Sequence, residues 1–163
     1  MIYATVGTMY LDFPRLIHAM DAIAKDTGEL VIIQRGMGST VPAHCEHFDF
    51  KPREEIQALQ AEARLIVCHG GIGSVIDALH AGKPLLVVPR LKRHGEHNND
   101  HQLDIAQAVE RRGWGKAVLD IAELARSCAH PPPAKGQYRP DSERLIAFVR
   151  GAIEEATRQA NTG

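Results

Sequence analysis

Residues 65–81 read LIVCHGGIGSVIDALHA, and the succession of residue types in this stretch decides the fold. Four apolar residues, 65–68, come first without polar alternation, as in a strand buried on both faces of a sheet. A glycine turn follows at once, HGGIGS at 69–74, and Val75, Ala78 and Leu79 then recur at helical spacing. A second unalternated run, LLVV at 85–88, comes after the helix. Strand, turn, helix and strand in that order make a parallel β-α-β unit.

The same alternation extends in both directions. Residues 2–6, 30–34, 48–50 and, weakly, 116–119 read as further strands. Between them, helical spacing links Phe13, Leu16, Ile17, Met20 and Ile23, then Ile56, Leu59 and Ala63, then Leu103, Ile105, Ala106 and Val109. The expected fold is a Rossmann-like α/β domain over residues 1–128, a parallel sheet with helices on both faces. Residues 129–140, AHPPPAKGQYRP, read as a stiff linker, since proline lacks the amide donor and clashes with the preceding helical turn. Residues 141–163 then read as a final helix. Asp141 or Ser142 can cap it, and Leu145, Ile146, Val149, Ala152 and Ile153 share one face. That face needs apolar cover, from the body of this domain or from a partner.

Composition narrows the class. The chain has 163 residues and a net charge of −1, so no polycationic footprint points to nucleic acid or anionic lipid. Cys45, Cys68 and Cys128 are odd in number and far apart, unlike a disulfide framework or a zinc site. No stretch approaches the roughly 20 apolar residues of a membrane span. The start, MIYATVGT, has neither the basic residues nor the apolar run of a signal peptide. The expectation is a soluble, cytoplasmic domain.

In open parallel sheets ligands bind beyond the carboxyl ends of the strands. Three loops there carry candidate chemistry. The turn at 69–74 suits a phosphate, because glycines let a ligand approach the backbone and a helix start offers unpaired N–H groups. It matches neither the Walker A spacing nor the full dinucleotide fingerprint, and a tight turn without a ligand is the plain alternative. Asp77, one turn into the helix, can accept two hydrogen bonds from a ribose diol, or simply be a solvated or ion-paired helix residue. Gly7 and Thr8 could add a backbone N–H and a hydroxyl to the same rim. The third loop, PRLKRHGEHNNDHQ at 89–102, is polar throughout, as functional loops often are. His97 and His101 stand four apart, but Asn98 breaks the HEXXH pattern, and His44, Glu46 and His47 make a weaker metal set still.

Three motifs in order, TVGT with FPRLI near the start, HGGIGSVIDALHAGKPLLVVP at 69–89 and EHNNDHQLDIA at 96–106, resemble the C-terminal domain of glycosyltransferase family 28. The chain looks most like the small catalytic subunits of bacterial two-subunit exopolysaccharide and capsule transferases. The small subunit of the dolichol-pathway GlcNAc transferase is similar. The resemblance covers residues 1 to about 125. It implies half of a GT-B architecture, the half that binds a nucleotide-sugar donor, usually a UDP-sugar, without a metal cofactor. A separate, typically membrane-associated subunit would bind a polyprenyl-diphosphate-linked acceptor and bring this chain to the inner face of the membrane.

By matching motif, the resemblance places Gly7, Thr8, Gly70, Gly71, Gly73 and Ser74 at the donor diphosphate and Asp77 at the ribose. Asp77 is one methylene shorter than the glutamate of the peptidoglycan GlcNAc transferase. Phe50 and Lys51 would meet the uracil edge, and Asp100 and Gln102 the transferred sugar. Arg90, Lys92 and Arg93 would meet the leaving diphosphate or a charge on the acceptor. The acceptor-activating base is expected in the partner, so no residue here corresponds to it. The alternatives from other classes are a non-catalytic nucleotide-binding or enhancer subunit, a metal-dependent hydrolase built on the histidine-rich loop, and a scaffold.

Overall fold

The computed structural model describes residues 1–134 and Gly151. Six strands, β1 (Ile2–Thr5), β2 (Val31–Gln34), β3 (Glu46–Phe48), β4 (Leu65–Cys68), β5 (Leu85–Val87) and β6 (Lys116–Ala117), form one sheet in the order β3-β2-β1-β4-β5-β6. All five pairings are parallel. Ala4 stands opposite Ile33 on one side and Val67 on the other, which fixes the centre of the sheet. The helices among the described residues are α1 (Pro14–Thr27), α2 (Arg53–Glu62), α3 (Ile72–Ala81), α4 (His101–Arg111) and α5 (Leu124–Ala129).

The unalternated runs are explained by cover on both faces. Ile2, Ala4, Val31, Ile33, Leu65, Val67 and Leu86 turn toward the cluster that holds Leu16, Ile17 and Met20 of α1 and Leu124 and Cys128 of α5. Their neighbours Tyr3, Ile66, Cys68, Leu85 and Val87 turn the other way, against Ile56 and Leu59 of α2, Val75 and Ala78 of α3, and Ala106 and Val109 of α4. Each fully buried aliphatic side chain contributes roughly 1.5–3 kcal/mol. α1 starts with Pro14 in its first turn, where the missing N–H costs nothing, and stops at Gly28 in the left-handed conformation.

Strands at the sheet edges depart from the sequence expectation. β3 lies at Glu46–Phe48, two residues before the expected 48–50, because Phe48 is the residue that packs inward beside α2. Glu46 and His47 stay exposed and Phe50 projects to solvent, so an edge strand carries only half of the apolar signal. β6 is two residues long, although Val118 N still donates to Val87 O at 2.9 Å. The turn at Ile121–Glu123 and the short α5 were not anticipated; Asp120 starts them by accepting from Ala122 N at 3.0 Å. Of the expected linker, residues 129–134 are described. The rest of it, and the expected helix at 141–163 apart from Gly151, lie outside the described residues.

Candidate nucleotide-binding site

The strand order makes β1 and β4 neighbours, and from this seam the chain departs in opposite directions, to β2 on one side and β5 on the other. Such a switch point leaves a crevice between the departing loops. Here it is a cavity of about 300 Å³ lined by Gly7 and Thr8 from the exit of β1, by His69, Gly71, Gly73, Ser74 and Asp77 from the exit of β4, and by Ile56 and Gln60 of α2. Its floor is a buried polar network. Thr5 Oγ1 donates to Gln34 Oε1 at 2.9 Å, and the Tyr3 hydroxyl donates to the same oxygen at 3.3 Å. Gly7 N donates to Thr5 Oγ1 at 3.1 Å. Burial holds the Tyr3 hydroxyl well above its ordinary pKa, so it stays a neutral donor.

His69 is the residue that sequence reasoning passed over. Its ring lies between Gly7 and Gly71, and a Cβ at either glycine would fall on ring atoms. Gly7 also has φ +79°, where a side chain would be strained. Burial first, and then the charge of Arg90, pull the His69 pKa down to about 4, so the imidazole is neutral near pH 7. Among the described residues its buried Nδ1 has no hydrogen-bond partner. The usable signal was position: a polar side chain at the carboxyl end of a central parallel strand, just before the glycines.

α3 begins at this cavity with no side-chain cap on its first N–H groups, and Val75 N is the donor that reaches back to Gly71 O. The N–H groups of the first turn are therefore open to an anion. Gly73 has nothing within 4 Å of where a Cβ would stand, so it borders open space. Gly70 plays another part, outside the lining. Its Cα faces the Gln102 carbonyl, and this close approach seats the start of α4 against β4. Asp77 is 39% exposed and lies 3.2 Å from Nη2 of Arg53, which is 72% exposed. A pair this open contributes about 0–1 kcal/mol and yields readily to another ligand. Phe50 and Lys51 fall outside the cavity lining: Phe50 is exposed, and Lys51 Nζ reaches Glu55 Oε2 at 2.5 Å.

The loop at 89–102 behaves differently. Arg90 is corrected from a leaving-group cation to an internal fastening. It is wholly buried, and its guanidinium donates to Leu11 O at 2.8 Å, Asp12 O at 2.9 Å, Glu96 O at 3.2 Å and Val6 O at 2.8 Å. Its centre lies 4.8 Å from the Phe13 ring centroid, and burial lowers its pKa to about 10. The physical reason is donor number. A guanidinium has five N–H donors in a fixed fork, enough to satisfy carbonyls that the exit of β1 leaves unpaired. Glu96 is equally committed, to Arg15 Nε at 2.9 Å and Nη2 at 2.8 Å and to Leu91 N at 3.0 Å.

Gln102 is buried, and its Oε1 accepts from Arg90 N at 3.1 Å, so its carbonyl end is occupied within the protein. Asp100 Oδ1 accepts from Lys92 N at 2.8 Å. Asp100 and Arg93 border a separate hollow of about 230 Å³ with Leu91, Leu103, Gln107 and Leu119. Lys92 and Arg93 face solvent. His97 Nδ1 accepts from Asn99 N at 3.2 Å, and His101 Nδ1 stands 3.9 Å from Asp104. Among the described residues no three His, Cys, Asp or Glu side chains gather as a metal would require. No helix among them is long and apolar enough to cross a membrane.

A parallel sheet with helices on both faces, a glycine turn and an uncapped helix start at its switch point defines a Rossmann-like α/β domain. This chain belongs to the glycosyltransferase family 28 C-terminal domain family, whose model matches residues 1–155. It is 30% identical over 144 residues to the UDP-N-acetylglucosamine transferase subunit ALG13 of Homo sapiens, a match over 80% of this chain and 12% of that protein. Among solved structures, the solution structure of ALG13 matches with a TM-score of 0.60 and 20% identity, over 89% of this chain and 94% of that one. The calicheamicin glycosyltransferase CalG4 also matches with a TM-score of 0.60 and 20% identity, over 99% of this chain and 42% of that one. The structural matches establish the fold as that of GT-B glycosyltransferase C-terminal domains. The chain spans only a small part of the human relative.

Proposed function

We propose that this chain is the donor-binding part of a hexosyltransferase that takes its sugar from a UDP-sugar. The acceptor is a polyprenyl-diphosphate-linked sugar in polysaccharide biosynthesis, held by a separate membrane-associated subunit that recruits this chain from the cytoplasm. The observation that carries the reading is the cavity at the β1/β4 seam, where glycine backbone, the open N–H groups of α3 and Asp77 meet. The name of the human relative, a subunit of a UDP-N-acetylglucosamine transferase, supports it.

In this reading Gly7, Thr8, Gly71, Gly73 and Ser74 receive the diphosphate, and Asp77 exchanges Arg53 for the ribose hydroxyls. An acceptor hydroxyl attacks the anomeric carbon with inversion. The bond from that carbon to the β-phosphate oxygen breaks, its electron pair leaves on UDP, and the proton passes to a base in the partner. The N–H groups of α3 face the charge that grows on the diphosphate, and being fixed in place they need no rearrangement to stabilise it. Lys92 and Arg93, exposed at the next loop, add positive charge. Asp100, at the neighbouring hollow, and the amide end of Gln102 serve the transferred sugar, and the uracil extends past the cavity lining to Phe50 and Lys51. No metal is required.

Calorimetric titration of the full chain with UDP and a panel of UDP-sugars, in EDTA, tests the proposal. The expected result is EDTA-insensitive binding that favours one sugar and weakens in Asp77→Asn. A requirement for a divalent cation, or binding indifferent to Asp77, would count against it. Binding of UDP without discrimination among sugars, and no turnover with the acceptor subunit, would identify a non-catalytic nucleotide-binding subunit instead.

A further inference from the structure

The inward face of α2 breaks the rule of apolar burial. Ile56 and Leu59 are only partly covered, whereas the fully buried residue of this helix is polar, Gln60, 3% exposed. An amide shut away without a partner is destabilising. Among the described residues nothing offsets that penalty, since the Gln60 side chain forms no hydrogen bond with any of them.

The amide is nevertheless not sealed in. Among the described residues the sealed polar atoms without partners are Arg35 Nε, His69 Nδ1 and Arg90 Nε, and Gln60 lines the cavity at the β1/β4 seam. The other buried polar side chains of that lining have their places. Tyr3 and Thr5 donate to Gln34, and the His69 ring is wedged between Gly7 and Gly71. Gln60 is left as a buried amide that opens on the cavity with nothing to bond. A side chain that breaks a local rule without compensation inside the fold marks a functional contact.

Its place in the cavity follows from α2 and α3. Arg53, Ile56 and Gln60 share one face of α2 at helical spacing. That face meets α3, because Arg53 Nη2 reaches Asp77 Oδ1 at 3.2 Å. Gln60 and Asp77 therefore line the cavity from facing helices. Asp77 lies about 7 Å along α3 from Ile72, beyond the N–H groups that suit an anion. A neutral amide is a different kind of group, with an oxygen that accepts and an NH₂ that donates. It matches a hydroxyl, which does both. In a nucleotide whose diphosphate lies on the first turn of α3 and whose ribose meets Asp77, the group that comes to Gln60 is a ribose hydroxyl.

We propose that the Gln60 amide holds one hydroxyl of the ribose from the α2 wall, opposite Asp77, and so makes the site selective for ribonucleotides over their deoxy analogues. This rests on the donor-binding reading and adds a specificity-determining residue to it. A site built to bond a hydroxyl rejects the analogue that lacks it, because the buried polar group is then left unpaired.

The test is calorimetric titration of the full chain and of Gln60→Met, a variant of similar length and helix propensity, with UDP, 2′-deoxy-UDP and 3′-deoxy-UDP. Gln60→Met is expected to bind UDP about tenfold more weakly than the parent. One of the two deoxy analogues should bind to parent and variant within about twofold, since it never had the hydroxyl that Gln60 holds. The Tm of Gln60→Met should equal or exceed that of the parent, as an unpartnered amide has been removed. Unchanged affinity for UDP in Gln60→Met would overturn the proposal. So would an equal loss for UDP and both analogues, which would place the amide against another part of the nucleotide. Either result leaves the donor-binding reading standing, because the parent still binds UDP. A parent chain that binds no UDP would overturn that reading, and this one with it.

Discussion

Two neighbouring loops, the glycine turn after β4 and the polar loop after β5, leave the same edge of the sheet and have opposite characters. Among the described residues the turn at 69–77 keeps its donors unspent: the first N–H groups of α3 have no side-chain cap, and Asp77 is held by an exposed arginine. The loop at 89–102 is far richer in charge, yet much of that charge points inward. Arg90 binds four backbone carbonyls, Glu96 binds Arg15 and a backbone amide, and Gln102 binds the amide of Arg90. Polarity in a loop is therefore no guide to its availability. What decides is whether nearby backbone groups lack partners, because a buried unpaired carbonyl costs more than a hydrogen-bonded side chain gains elsewhere.

Substitutions can break this contrast, and the fastening loop should give the largest effect. Arg90→Ala orphans four carbonyls, although Glu96 keeps Arg15 as its ion-pair partner, so a loss of about 3–5 kcal/mol, some 10 °C in Tm, is expected in thermal melts. A Tm within a degree or two of the parent would show that the loop is not fastened this way. Next comes the pH dependence of stability. His69 titrates near 4 in the folded chain and near its ordinary 6.5 when unfolded, so the unfolded chain takes up the proton first. Its contribution is complete above pH 6.5 and is lost as the pH falls toward 4, on the order of 3 kcal/mol in all. Denaturant midpoints measured from pH 7 to 4 should fall steeply, and His69→Asn should flatten that fall.

Gly7→Ala, strained at φ +79° and crowded by the His69 ring, should cost about 1–3 kcal/mol in urea unfolding. The turn side predicts a different signature, lost binding without lost stability. Asp77→Asn should weaken UDP about tenfold, or about 1.4 kcal/mol, at an unchanged melting temperature. Gly73→Ala should be the mildest for the fold, neutral or stabilising by up to about 1 kcal/mol at a helical position with open space around it, while still lowering affinity for a UDP-sugar severalfold. Were Gly73→Ala to bind as well as the parent, the diphosphate would have to sit elsewhere on the rim.

The centre of the fold was legible because it is buried twice over. β4 falls where LIVC lies, and β1, β2 and β5 differ from expectation by one residue at an end. Edge elements were less legible, since β3 buries only Phe48 and β6 spans two residues. In the site, the glycine turn and Asp77 could be read as members of one rim because glycine and a helix start act locally. Arg90 could not be read correctly. Its partners Val6, Leu11 and Asp12 lie about eighty positions away in the chain, and nothing in the string PRLKRHG says which cation turns inward. His69 was hidden for the converse reason, since its ring is defined by the close approach of Gly7 from another strand.

The seam between β1 and β4 also sets when the cavity can exist. Its two walls, residues 7–8 and 69–77, are brought together only after β2, β3 and α2 have been made and β4 has found β1 in parallel. Pairing across so long a stretch of chain is entropically costly, and the walls meet only once β4 has been made. A ribosome that has released the first sixty residues has delivered half of the rim and no crevice. Nucleotide capture by this domain would accordingly report that the β1–β4 pairing is made, and would shift the folding equilibrium toward the paired sheet by mass action.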